Sequence, residues 1–107
     1  TVPPANAEGP VGIGQVAYTN GLRVRPLAIV EDSRCPTLVR CVWAGRLVVR
    51  SEIVGGSWNE IRDLEQGNPQ KTADGALTLV SADPRKATPG DIKPDAYRFT
   101  FDFQGGL

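Results

Sequence analysis

Histidine and methionine are absent from this chain, and only two of its 107 residues are cysteine. The lack of histidine excludes Ser-His-Asp and Cys-His catalytic groups and two-histidine zinc sites. No apolar run approaches the roughly 18 residues that a transmembrane helix needs. Twelve basic and twelve acidic side chains give a net charge of zero. A protein without a large positive field is a poor candidate for binding nucleic acid or, through its overall charge, an anionic membrane.

The length of the chain predicts one folded domain. A domain of this size buries roughly 65% of the surface of its extended chain, so a core can form without a metal or cofactor, and we predict neither. The first ten residues contain three prolines and one glycine, which is typical of a linker. We therefore predict a flexible N-terminal tether over residues 1–11 and a single β domain over residues 12–107. A start of this kind favours an exported protein or lipoprotein trimmed from a longer precursor, the alternative being a cytosolic protein with a loose N-terminal end.

Cys35 and Cys41 are separated by five residues. Two cysteines without histidine do not complete a zinc site, and the spacing is not that of a C-x-x-C redox motif. A local disulfide is the remaining interpretation, and such a bond persists in an oxidising compartment. The cysteines and the tether together predict a location in the periplasm or at the cell surface.

The distribution of glycine and proline predicts an all-β fold. Twelve glycines and nine prolines divide the chain into short segments, and no long segment keeps apolar residues at helical spacing. We expect an antiparallel β-sandwich, immunoglobulin-like or a small barrel, of six to seven strands. The cysteine–tryptophan spacing is not that of a true immunoglobulin domain. The predicted strands are 14–18, 22–31, 42–54 with a bend at Gly45, 57–64, 76–82 and 97–103.

Three local signals set the expected turns. Asn20-Gly21 predicts a tight hairpin because both residues tolerate a positive φ. Pro26 lacks a backbone donor, so the second strand should carry a bulge or form an edge there. Gly55-Gly56 predicts a second two-residue turn.

Three strands have a predicted inward face, and in the second strand Leu22 and Val24 point inward while Arg23 and Arg25 point outward. Val16 and Tyr18 are expected to point inward from the first strand. The last strand alternates most strictly, which places Tyr97, Phe99 and Phe101 in the core and the side chains between them outside.

Residues 32–45 form the most distinctive segment, with Asp32, Ser33, Arg34, Cys35 and Pro36 followed by Cys41, Trp43, Ala44 and Gly45. This pattern, D-S-R-C-P-x4-C-x-W-A-G, resembles an uncharacterised family of small bacterial secreted proteins and lipoproteins. The resemblance implies export, including the option of an outer-membrane lipoprotein. It implies no activity, because the family has no assigned function.

The segment has two interpretations. As a structural motif, Asp32 and Ser33 bond turn N–H groups, Arg34 reaches Asp32 or the loop carbonyls, and Pro36 stiffens the turn. Trp43 would then be buried beside the disulfide, with Gly45 leaving room for it. As a binding loop, the segment would instead present Arg34, Leu38 and Arg40 to a partner, with Trp43 exposed.

Arginine is concentrated in one part of the chain. Residues 22–51 contain six arginines and two acidic residues. A candidate anion-binding patch comprises Arg23, Arg25, Arg34, Arg40, Arg46 and Arg50. The alternative is an ordinary solvated face with neighbouring acids such as Glu52. Asp83, Asp91 and Asp95 share a loop but lack the spacing of a calcium site, so no metal ligands are assigned.

These observations favour an exported, disulfide-pinned binding or structural module of the bacterial cell envelope. Its candidate partners are an envelope protein or an anionic ligand. We expect it to bind no nucleic acid, and to contact a membrane only through a lipid anchor, if the precursor had one, that is absent from this chain. The alternative is a carboxylate-based envelope enzyme such as a glycan hydrolase. That enzyme would need a deep cleft with two carboxyl groups about 5–9.5 Å apart. No catalytic residue is assigned.

Overall fold

The computed structural model describes residues 6–7, 10–37, 39–73, 75–85 and 92–105, with the backbone alone for 6–7. These residues form two β-sheets packed face to face, as predicted for a sandwich. One sheet has the order β1-β2-β3-β4-β5, and its strands are β1 Asn6–Ala7, β2 Val16–Thr19, β3 Leu22–Asp32, β4 Leu47–Val54 and β5 Asn59–Glu65. The other has the order β6-β7-β8, with β6 Gln70–Lys71, β7 Gly75–Asp83 and β8 Arg98–Gly105. A single 3-10 turn, Pro94–Ala96, precedes β8 in the described part of the chain.

The core lies between the sheets and is built from one face of each long strand. Its fully buried side chains include Val24, Val49, Ile53, Leu64, Leu77, Leu79 and Phe99. Apolar burial of this kind is the main favourable contribution to folding.

The last strand confirms its predicted alternation. Phe99, Phe101 and Phe103 are buried, Arg98 is exposed, and Thr100 and Asp102 are partly exposed. Tyr97, just before the strand, is also buried, and its ring stacks on Phe99 with centroids 5.5 Å apart. β8 therefore supplies the aromatic part of the core.

The hairpin and the bulge are also confirmed. Thr19 pairs with Leu22, and Asn20 and Gly21 between them both have a positive φ. The register of β3 against β4 shifts between Pro26 and Ala28, because the proline nitrogen cannot donate to the ladder.

Two expectations about strand faces and turns are wrong. In β2 the buried residue is Ala17, whereas Tyr18 is exposed and Val16 is partly exposed. Ala17 pairs with buried Val24, and this register decides which face of the short strand turns inward. The turn after β4 has four residues, because Val54 pairs with Asn59 and the N–H of Gly55 donates to the carbonyl of Trp58.

The ordered domain starts before residue 12. Val11 is only 2% exposed and exchanges backbone hydrogen bonds with Phe99. Asn6 and Ala7 pair in parallel with Val16 and Ala17. These residues thus belong to the fold rather than to the predicted tether, because their backbone groups pair with the sheets. The rest of residues 1–9 lies outside the described part of the chain.

Candidate functional site

The segment between β3 and β4, residues 33–46, is called the cysteine loop below. Cys35 and Cys41 form the predicted disulfide, with an S–S distance of 2.08 Å. The bond closes the outer part of the loop.

The base of the cysteine loop continues the β3–β4 hairpin. The N–H of Ser33 donates to the carbonyl of Arg46 at 2.8 Å, and the N–H of Cys35 donates to the carbonyl of Ala44 at 3.0 Å. The strand β4 itself starts at Leu47, so the expectation of a strand from Val42 is wrong. Within the outer part, the N–H of Val39 donates to the carbonyl of Pro36, which forms a turn.

Gly45 allows the two sides of the base to approach closely. Its φ is +71°, and a Cβ built on it would lie 1.7 Å from the carbonyl oxygen of Ser33. A larger residue therefore does not fit without a shift of the backbone.

Asp32 joins the cysteine loop to the core. Its carboxylate accepts hydrogen bonds from Arg34 Nε at 2.8 Å and Nη2 at 3.0 Å, and from the Tyr97 hydroxyl at 2.5 Å. Burial raises the pKa of Asp32, but the hydrogen bonds from Arg34 and Tyr97 together outweigh burial and lower this pKa to about 2. Burial and the bond to Asp32 raise the pKa of Tyr97 to about 12. The motif residues Asp32 and Arg34 thus have a structural role at the loop base.

A second, more exposed set of bonds lies on the other side of the base. The Ser33 hydroxyl donates to Glu31 at 2.6 Å and accepts from the N–H of Arg46 at 3.0 Å. Arg46 also pairs with Glu31 and Glu65, at 3.0 and 3.2 Å. The hydrogen bonds from Ser33 and Arg46 lower the pKa of Glu31. These bonds tie the loop base to β3 through Glu31 and to β5 through Glu65.

The expected burial of Trp43 is wrong. Its side chain is 81% exposed, and that of the adjacent Val42 is 89% exposed. The cysteine loop extends past the paired ends of β3 and β4, so neither sheet covers it. Val39 and Arg40 are exposed there as well, while Leu38 lies outside the described residues. The apolar tip, defined here as Val42 and Trp43, is held on a closed and bonded loop and is left uncovered.

The arginines of the candidate patch do not share one free surface. Four of them form ion pairs: Arg25 with Glu52, Arg34 with Asp32, Arg46 with Glu31 and Glu65, and Arg50 with Asp63. In the described residues, Arg23 and Arg40 have no such pair. Arg23 lies on the sheet face and Arg40 on the cysteine loop, so these two cations belong to different surfaces.

A groove of about 330 Å³ lies on the outer face of the larger sheet. Val16, Arg23, Arg25, Glu52 and Val54 line it. Glu52 is the one carboxylate in this lining, whereas glycoside hydrolysis uses two. This groove does not supply the pair of carboxyl groups that the enzyme alternative requires.

Among the residues that the structure describes, no three His, Cys, Asp or Glu side chains lie close enough to hold a metal ion. Asp91, one of the three loop carboxylates, is outside those residues.

The described residues contain no helix long and apolar enough to cross a membrane.

Comparison with family models, with curated proteins and with solved structures finds no match for this chain.

Proposed function

We propose that this protein is an exported binding module of the bacterial cell envelope, and that the cysteine loop is its contact element. The observation that carries the proposal is the exposure of the apolar tip, 89% for Val42 and 81% for Trp43. A monomeric protein loses stabilisation by leaving a large indole in water, and tryptophan is enriched where proteins make contacts.

The loop base supports this proposal. The disulfide, the two backbone hydrogen bonds and the Asp32–Arg34–Tyr97 contacts hold the loop in one arrangement. A preorganised contact element loses less conformational entropy on binding than a flexible one. The disulfide also fits an exported protein. The family resemblance of the D-S-R-C-P-x4-C-x-W-A-G segment supports the envelope location.

The test is retention of envelope material by immobilised, oxidised protein. Wild type is compared with Trp43→Ala and with the control Ile61→Ala, whose side chain is 62% exposed on β5, away from the loop. We expect wild type and Ile61→Ala to retain the same component from an envelope extract and Trp43→Ala to lose it. Equal retention by all three proteins, or by none, contradicts the proposal.

A folding control accompanies this comparison. Trp43→Ala should leave the free energy of unfolding, measured by urea denaturation, within about 0.5 kcal/mol of wild type, because an exposed side chain has little packing to lose. Trp58 remains as the fluorophore, since it is partly buried against the core. A large loss of stability would show that Trp43 is structural after all and would contradict the proposed role.

A further inference from the structure

The apolar tip and its surroundings also indicate what the cysteine loop touches. Residues 33–45 contain Arg34 and Arg40 and no acidic residue. Arg34 is neutralised by Asp32 at the base. Arg40 is exposed and, in the part of the chain that the structure describes, forms no ion pair. Residues 39–43 therefore combine three exposed apolar side chains, those of Val39, Val42 and Trp43, with one available positive charge, that of Arg40.

We infer that the cysteine loop inserts its tip into the interface of a bilayer that contains anionic phospholipid. This inference rests on the proposed function and names the partner of the same site. Tryptophan is favoured at the boundary between headgroups and acyl chains, because its ring is apolar and its N–H needs a polar partner. Arg40 lies three residues from Trp43 and would contact the phosphate layer while Val42 and Trp43 enter below it.

The fold is consistent with this contact although the net charge of the chain is zero. The charges of the larger sheet are largely paired, as in Arg50 with Asp63 and Arg62 with Glu60. Such pairs neither attract nor repel an anionic surface strongly. The acidic residues that flank the loop, Glu31 and Asp32, lie at its base and are bonded there. Only the outer loop, which carries no acid, would reach the bilayer.

The exposure of both Val42 and Trp43 favours a bilayer over a protein surface as the partner. A lipid interface yields to a protruding loop, whereas a protein partner must present a cavity for Trp43. Val42 and Trp43 directly follow Cys41, so the disulfide fixes the chain immediately before them. The interaction should be weak and reversible, since one short loop buries little apolar area.

The experiment is co-sedimentation of the oxidised full chain with vesicles. One set contains phosphatidylcholine alone, and the other contains phosphatidylcholine with phosphatidylglycerol. We expect wild type to bind the mixed vesicles. The emission of Trp43, obtained by subtracting the spectrum of Trp43→Ala from that of wild type, should shift to the blue on binding. Trp43→Ala should bind about tenfold more weakly, because most of the buried apolar area is lost. Ile61→Ala should bind like wild type.

The role of charge has its own matched pair of variants. Arg40→Ala should weaken binding to the mixed vesicles by about fivefold and leave binding to phosphatidylcholine unchanged. Arg23→Ala removes an arginine that is likewise without an ion pair in the described residues but lies on the sheet groove. It should have no effect on either vesicle.

The outcomes separate this inference from the proposed function. Absence of vesicle binding by wild type, or equal binding by wild type and Trp43→Ala, overturns the membrane inference. If Trp43-dependent retention of an envelope protein persists in that case, the cysteine loop is a protein contact and the proposed function stands. If retention from the envelope extract is also independent of Trp43, both are overturned.

Discussion

The hydroxyl of Tyr97 donates a 2.5 Å hydrogen bond to the carboxylate of Asp32, 65 residues earlier in the chain. The bond links the aromatic part of the core to the base of the cysteine loop. Arg34 completes the cluster by donating to the same carboxylate. The arrangement explains how a loop outside the sandwich is held in place by groups inside it.

Asp32→Asn should destabilise the fold by about 2 kcal/mol at neutral pH, because the carboxylate pKa is lowered from 3.8 to about 2. A lowered pKa means that the stabilisation is present above the unfolded-state pKa and is lost as the pH falls through the folded-state value. The difference between wild type and Asp32→Asn should therefore shrink between about pH 4 and pH 2. Urea denaturation of both proteins at several pH values measures this difference in the free energy of unfolding.

The exposed pair Arg50–Asp63 provides the control. Asp63→Asn should cost less than about 1 kcal/mol, as is usual for surface ion pairs. A constant difference between wild type and Asp32→Asn down to pH 2 would show that the carboxylate charge does not stabilise the fold.

Phe101→Ala should destabilise the protein by about 3–5 kcal/mol, since it removes a buried ring between the sheets. Thr100→Ala, at the next position on the outer face, should cost much less. Thermal or urea unfolding gives both values. A loss below about 1 kcal/mol for Phe101→Ala would mean that the core does not depend on this face of β8.

Gly45→Ala should cost more stability than Gly14→Ala. Both glycines have a positive φ, but an added Cβ would meet the Ser33 carbonyl at Gly45 and nothing within 4 Å at Gly14. Gly14→Ala should cost about 1 kcal/mol for the backbone conformation alone. The loss of stability in Gly45→Ala should be larger than in Gly14→Ala by about 1 kcal/mol or more. Equal urea midpoints for the two variants would contradict the close approach.

Cys35 and Cys41 should both resist alkylation in the unreduced, unfolded protein, and mass spectrometry should find no labelled thiol. Replacing both by serine should lower stability by about 2.4 kcal/mol, the chain-entropy value for a seven-residue loop. Two labelled cysteines before reduction would disprove the bond in the isolated protein.

The features that the sequence predicted correctly are local. The alternation in β8 needs only one buried and one solvated face, so it is visible in the order Tyr97 to Phe103. The Asn20-Gly21 turn and the irregularity near Pro26 follow from the φ preferences and donors of single residues. The disulfide follows from two cysteines at short spacing in a chain that has no histidine to complete a zinc site.

The sequence by itself thus determined the all-β class, the disulfide, the bulge near Pro26 and the aromatic face of β8, because each depends on neighbouring residues. Only the tertiary structure decided the pairing of Arg50 with Asp63, because that pair depends on the register between β4 and β5. It also decided the bond from Tyr97 to Asp32, because the two residues belong to different sheets or their edges. It also decided the exposure of Trp43. An apolar residue in a loop is buried only if another layer reaches it, and no layer covers Trp43.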